Sequence, residues 1–261
     1  MKRIILIVFC AFGILGDVQA QELSVEEIVR KANAVAYYSG EDGLSDVKMT
    51  IIDSQERERI REFRIMRFDV QDGGDQKFYV YFKKPADVSK MVYMVWKHLG
   101  ADDDRWLYLP ALDLVKRIAA SDKRSSFVGS HFVYEDVSGR NIEADEHIID
   151  ETTERFYKLK NVPKDISGLE FAYYMIWVDK INFLPMRAEY YDNENKLIRS
   201  IEALEVEDIQ GHPTVKKSVA RDLNRGGKTV MEFSNVQYDV GLTENIFAER
   251  YLRKAPIEWL K

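Results

Sequence analysis

The chain has 261 residues, with 38 Lys and Arg against 44 Asp and Glu, and a formal net charge of −6. This acidic balance argues against a nucleic-acid partner, because duplex binding needs a basic face. A chain of this length can bury enough apolar surface to fold without covalent staples. The one cysteine, Cys10, lies close to the N-terminus. We therefore expect no disulfide, no thiolate catalysis and no cysteine metal site.

Residues 1–20 are typical of a secretory signal peptide. Lys2 and Arg3 precede an apolar run from Ile4 to Gly16, and the small Ala20 precedes a polar stretch. The run is shorter than the roughly 20 apolar residues that a membrane span needs, so a membrane anchor is the weaker alternative. No small residue precedes Cys10, which argues against lipid attachment there. We predict cleavage after Ala20 and a single exported domain over 21–261.

The loss of residues 1–20 would remove two basic side chains and one acidic side chain, which lowers the net charge from −6 to −7.

The first predicted element is an amphipathic helix over residues 24–38. Ser24 and Glu27 have the spacing of a capping box, apolar residues recur at helical intervals, and Gly40 is a plausible end. Stretches of period two then follow one another from Val47 to Val240, separated by short turn signals. They predict a mainly β, antiparallel fold of about ten or eleven strands with few helices, because parallel strands need long crossovers. Thr243 is expected to cap a short terminal helix over 244–252.

Three of the predicted strands, 78–82, 91–96 and 171–178, are apolar on both faces. An antiparallel strand with one solvated face should alternate cleanly. Both faces therefore meet apolar groups, either in a closed sandwich core or on a curved sheet that lines a ligand cavity. Periodicity does not separate these alternatives. If a cavity exists, its candidate lining residues are Phe78, Val80, Phe82, Val92, Met94, Trp96, Tyr173, Met175 and Trp177.

The segment SSFVGSHFVYEDVSGR (125–140) gathers polar side chains that suggest catalysis. Ser130 lacks the glycine spacing of a nucleophile elbow, and adjacent Ser130 and His131 on an extended segment point to opposite sides. The acidic stretches 102–104 and 192–196 lack EF-hand spacing, and the glycine turn 225–228 has no following helix to bind phosphate. The four histidines share no metal-ligand spacing. We predict no catalytic residue, no metal site and no cofactor.

Four stretches together resemble the outer-membrane lipoprotein-sorting (LolA-like) protein family: DDRWLYLPALDLVKRI, SSFVGSHFVYEDVSGR, WVDKINFLPMRAEYYD and FSNVQYDVGLTENIFAERYL. The resemblance implies a half-open antiparallel β-barrel whose concave face is covered by few helices, with an apolar cavity between them. It also implies a periplasmic protein that holds acyl chains of a lipid or lipoprotein, rather than an enzyme, and that works beside an inner-membrane lipid-exporting transporter. This favours the cavity over the closed core. Alternation does not say which face of strand 171–178 is concave, and we expect the face of Trp177, rather than that of Ile176, to line the cavity.

Residues 125–140 resemble the signature segment of that family and keep this name below. The family usually has an acidic residue at the position of His131. We expect the His131 side chain to titrate near neutral pH instead. The leading hypothesis is a soluble periplasmic lipid carrier, and the alternative is a lipid-sensing or accessory subunit of a transporter. The residues that carry the signature are Phe127, Gly129, Ser130, His131, Phe132, Tyr134, Glu135 and Asp136.

Overall fold

A single antiparallel sheet dominates the computed structural model, which describes residues 22–260; the predicted signal peptide lies outside the described residues. Three short α-helices, α1 (Val25–Tyr37), α2 (Tyr134–Ser138) and α3 (Arg250–Arg253), accompany it. The strands are β1 (Asp42–Ile52), β2 (Glu58–Asp69), β3 (Gln76–Lys84), β4 (Val92–Lys97), β5 (Asp104–Leu109), β6 (Leu114–Ile118), β7 (Asp145–Thr152), β8 (Phe156–Pro163), β9 (Tyr173–Asp179), β10 (Pro185–Tyr191), β11 (Leu197–Ile209), β12 (His212–Asp222) and β13 (Lys228–Tyr238).

The strand order shows that the sheet is open. It runs β6-β5-β4-β3-β2-β1-β13-β12-β11-β10-β9-β8-β7, so the first and last strands of the chain pair at the centre. The two edge strands, β6 and β7, are consecutive in the chain and are joined by residues 119–144. The predicted mainly β, antiparallel fold is confirmed, and the sheet is open.

The number of strands was predicted too low, since thirteen are present in the described chain rather than ten or eleven. β7 is the strand that the sequence pattern did not reveal. It reads DEHIIDET, its acidic residues hide the period, and Ile148 is 52% exposed. A strand at the edge of a sheet tolerates charged side chains, which protect it from pairing with other chains.

Helix α1 lies across one face of the sheet, here called the inner face. Ser24 Oγ accepts a hydrogen bond from the Glu27 N–H at 3.2 Å, and the Glu27 carboxylate accepts one from the Ser24 N–H at 2.8 Å. This confirms the predicted capping box. The buried side of the helix, formed by Ile28, Val29 and Ala32, packs against Leu159 and Val178 of β8 and β9. No helix among residues 22–260 is long and apolar enough to cross a membrane.

The outer face of β2–β5 is covered by the C-terminal segment, residues 240–260. Leu242, Ile246, Phe247 and Leu252 pack on an apolar cluster that this face presents. Two hydrogen bonds fix the segment: the Tyr79 hydroxyl donates to the Tyr251 carbonyl at 2.7 Å, and Trp96 Nε1 donates to the Phe247 carbonyl at 2.8 Å. This cover accounts for the apolar outer faces of β3 and β4.

The predicted terminal helix is broken into two pieces. A 3-10 turn spans Glu244–Phe247, Ala248 is extended, and α3 covers only Arg250–Arg253. The Thr243 hydroxyl contacts Asn245 rather than a helical N–H. Because the segment is broken at this point, Phe247 and Leu252 both reach the sheet.

Phe247→Ala is expected to lower the free energy of unfolding by about 3–5 kcal/mol, because it opens a cavity beneath a fully buried ring. The control is Ile257→Ala, whose side chain is 68% exposed, and it should stay within about 0.5 kcal/mol of the parent protein. Urea denaturation of the two variants measures both values. Equal stability of the two would show that the C-terminal segment does not hold the outer face.

Candidate functional site

An apolar cavity of about 490 Å³ lies between the inner face of the sheet, α1 and the signature segment. Helix α1 contributes Val29, Ala32 and Ala36, whereas the signature segment contributes Phe127 and Phe132. The sheet supplies apolar side chains from both of its halves. Those from β2 and β3 are Phe63, Ile65, Phe78 and Val80, and those from β8, β9 and β11 are Leu159, Ile176, Val178 and Ile201.

The predicted lining residues of β3 lie on the inner face. Phe78 and Val80 line the cavity, and Phe82 packs beside it, with its ring centroid 5.0 Å from that of Phe63 and 6.0 Å from that of Phe127. The lining residues predicted on β4 are wrongly placed. Val92, Met94 and Trp96 lie on the outer face, under the C-terminal segment, while Tyr93 and Val95 belong to the inner core. Since both faces of β4 are apolar, the alternation of residues along the strand could not show which face is the inner one.

The same correction applies to β9. Tyr174, Ile176 and Val178 line the cavity, whereas Tyr173, Met175 and Trp177 lie on the outer face. The outer aromatic rings are covered by basic side chains: Lys160 Nζ is 4.5 Å from the Tyr173 ring centroid, and Lys158 Nζ is 5.6 Å from that of Trp177. Long Lys side chains shield apolar surface in this way while their charges stay in water. The outer face of β9 is therefore apolar without lining a cavity.

The signature segment folds as a compact plug on the inner face. Gly129 has φ +78° and follows Val128 at φ +49°, so the backbone turns sharply there. The turn directs Phe127 and Tyr134 onto Tyr93 of β4, with ring centroids 5.5 and 5.0 Å apart. Aromatic pairs at such distances stabilise a core beyond the area that they bury.

Ser130 and His131 use their polar atoms in the structure of the segment. Ser130 Oγ accepts from the Phe132 N–H at 3.2 Å, and His131 Nδ1 lies 2.8 Å from Thr229 Oγ1 on β13. Burial lowers the pKa of His131, so the ring is uncharged at neutral pH. The two side chains therefore anchor the segment to itself and to the sheet.

The acidic residues of the segment bind it to the second half of the sheet. Glu135, 4% exposed, lies 3.1 Å from Arg124 Nη1 and 3.3 Å from Arg140 Nη1. Burial opposes its ionisation, but these two guanidinium groups hold the pKa of Glu135 below its usual value. Arg140 also binds Asp145 of β7 at 2.8 Å. The charges are paired, as buried charges must be.

Asp136 extends this network in two directions. Its carboxylate accepts a hydrogen bond from the Val133 N–H at 2.7 Å and pairs with Arg199 on β11. Together with the aromatic plug on β2–β4, these contacts place the signature segment across both halves of the open sheet.

Two cations that the sequence did not suggest fix the ends of the cavity cover. Arg67 of β2 donates to the carbonyls of Tyr37 and Gly40 at the C-terminal end of α1. Lys97 of β4 donates to the Ser138 carbonyl at 2.7 Å, and burial lowers the pKa of Lys97 to about 8. For Lys97, the available signal was a charged residue at an inward position of an otherwise apolar strand. Across residues 22–260, no group of three acidic or histidine side chains is arranged to hold a metal ion.

An open antiparallel sheet with a helix and a plug over its apolar inner face defines a protein of LolA-like fold. A family model described as an uncharacterized protein matches residues 74–254. A DUF1329 family protein from Desulfovibrio piger is 31% identical, with a TM-score of 0.78, and the match covers 86% of this chain and 95% of that one. The chain belongs to the DUF1329 family.

Two further solved structures are similar. A putative outer membrane lipoprotein-sorting protein domain from Vibrio parahaemolyticus is 28% identical, with a TM-score of 0.79 and coverage of 87% of this chain and 97% of that one. A LolA superfamily protein from Nitrosomonas europaea shares the fold at 17% identity and a TM-score of 0.69, with coverage of 88% and 100%. No curated protein matches the chain.

Gly129→Val is expected to cost about 1–3 kcal/mol of stability, because a β-branched residue is strained at a positive φ. His131→Asn should cost less than about 1 kcal/mol, since an amide can also hydrogen-bond to Thr229. Thermal and urea melts of the two variants measure the difference. A larger loss for His131→Asn would mean that the imidazole, rather than the backbone turn, holds the segment.

Proposed function

We propose that this protein is a periplasmic carrier that holds an acyl chain of a lipid or lipidated protein in the inner cavity. The cavity itself carries the proposal: most of its wall is apolar, with charged side chains such as Arg67, Arg140 and Arg187 also present, and α1 covers it. Transfer of acyl chains from water into such a cavity is favourable by about 0.8 kcal/mol per methylene group. The likeness to a putative lipoprotein-sorting domain supports this function.

The cavity volume sets how much of a ligand can enter. Small-molecule sites usually have volumes of about 300–1,000 Å³. The cavity, at about 490 Å³, is within this range and can accept part or all of one acyl chain.

Export and handover complete the proposal. A signal peptide over residues 1–20, cleaved after Ala20, would deliver a single domain of residues 21–261 to the periplasm. There the protein would receive its ligand from an inner-membrane lipid-exporting transporter and contact membranes only transiently. The proposal needs no catalytic step, metal or cofactor.

The alternative is a lipid-sensing or accessory subunit of such a transporter. One observation favours it: α1 borders the cavity through Ala36 and Tyr37, and Arg67 holds the carbonyl of Tyr37. A ligand that displaces α1 would therefore disturb a fixed contact that a partner could detect. Movement of radiolabelled lipid between two vesicle populations by the purified protein supports carriage; binding without transfer supports sensing.

Ile176→Glu is expected to weaken the binding of an uncharged fluorescent acyl probe at least about tenfold, because a carboxylate on the cavity wall must be desolvated. Trp177→Glu is the matched control, one residue away on the outer face beside Lys158 and Arg187. It should bind the probe as the parent protein does. Circular dichroism verifies that both variants are folded. Equal loss in both, or unchanged binding in both, would contradict a ligand in this cavity.

A further inference from the structure

A second cleft, of about 580 Å³, opens on the other side of the signature segment. It lies between residues 121–133, the first residues of β11 and the turn at 222–225 that joins β12 to β13. Its lining is mainly polar, in contrast to the inner cavity. Arg124 and Phe132 line both spaces, so the cleft and the cavity share one wall.

Arg199 on this wall has a donor without a partner. The side chain is 93% buried, at a relative exposure of 7%. Its Nε donates to the His131 carbonyl at 3.4 Å and its Nη2 pairs with Asp136, whereas Nη1 is buried without a hydrogen-bond partner among the described residues. An unpaired buried donor is costly, and the cost is relieved when a ligand supplies an acceptor.

Arg61 of β2 lies close to Gly129, one of the residues that line the cleft, without belonging to the lining itself. A Cβ atom built on Gly129, which lines the cleft, would lie 3.9 Å from Arg61 Nη2. Two further donors of this guanidinium, Nε and Nη1, are buried without a partner in residues 22–260. Burial lowers the pKa of Arg61, because the charged guanidinium is partly removed from water.

The two carboxylates that line the cleft, Glu170 and Asp222, already accept hydrogen bonds within the chain, although the backbone donors of Asp222 do not neutralise its charge. Glu170 pairs with Arg124, and Asp222 accepts from the N–H groups of Asn224 and Arg225 at 2.9 and 2.8 Å. Arg225 itself has an exposed side chain at the cleft and no ion pair within the described chain. Arg124, Arg199 and Arg225 all line this cleft. Guanidinium groups suit an oxyanion with several acceptor atoms.

We propose that this cleft binds a phosphate-type oxyanion through Arg199 and Arg225, with Arg61 beside Gly129 adding positive charge next to it. The source of that anion is either the headgroup of an amphiphile or free phosphate. The first source, a headgroup, rests on the proposed carrier function. An amphiphile whose acyl chain lies in the cavity and passes Phe132 would place its headgroup at the shared wall. The carried ligand would then be a single-chain phospholipid-like molecule rather than a neutral lipid.

The test compares three probes by titration calorimetry: inorganic phosphate, a lysophosphatidic acid and the monoacylglycerol with the same chain. The parent protein should bind the lysophosphatidic acid at least about tenfold more tightly than the monoacylglycerol. The double variant Arg61→Gln, Arg225→Ala should lose this preference and keep the affinity for the monoacylglycerol. Arg61→Gln removes an unpaired buried charge, so the fold should persist, which circular dichroism verifies.

Arg250→Ala, on the C-terminal segment, is the matched control and should retain the preference. Binding of inorganic phosphate that depends on Arg61 and Arg225, without a lipid preference, supports the cleft with free phosphate as its source. The proposal is overturned if the double variant binds both phosphate and the lysophosphatidic acid with the same affinity as the parent protein. Failure of the carrier function would give a different result: no acyl probe would bind to the protein, whether or not phosphate binds.

Discussion

The buried Glu135 carboxylate, held between Arg124 and Arg140, is the contact on which the architecture depends most. The sheet is open, and its edge strands β6 and β7 are joined by residues 119–144, which must fold back over the inner face. Aromatic packing fixes this connection to β2–β4, and the paired charges, together with the hydrogen bond from Arg199 to the His131 carbonyl, fix it to β7 and β11. Removal of one partner would leave a buried charge uncompensated, which is far more costly than the loss of an exposed pair.

This arrangement explains why the interior remains partly empty. A fully packed core would need apolar side chains from both halves of the sheet to meet. Here α1 packs against β8 and β9, while the signature segment packs against β2–β4. The main apolar contacts of the two covers lie on different halves, and the cavity lies between them. Polar anchors at the carbonyls of Tyr37 and Ser138 help to keep the covers in place.

Much of the fold follows from local sequence rules, and the site follows only in part. The capping box of α1 and the antiparallel order of short-turn strands depend on neighbours in sequence, so they could be predicted. The face of a two-faced apolar strand depends on distant cover. Val92 and Trp96 meet residues near Phe247, about 150 positions away in the chain, and Trp177 is shielded by Lys158 of the neighbouring strand. Arg199 and Arg61 matter through donors left without partners, which no spacing reveals.

Photoaffinity labelling tests the central claim, that acyl chains lie between α1, the signature segment and the inner face. A fatty acid with a diazirine near its methyl end would be bound, irradiated and mapped by peptide mass spectrometry. The account predicts labels on inner residues such as Ile176, Val80 and Phe127, with none on their outward neighbours Trp177 and Tyr79. Labels confined to the outer face, or absent from the cavity at saturating ligand, would contradict it.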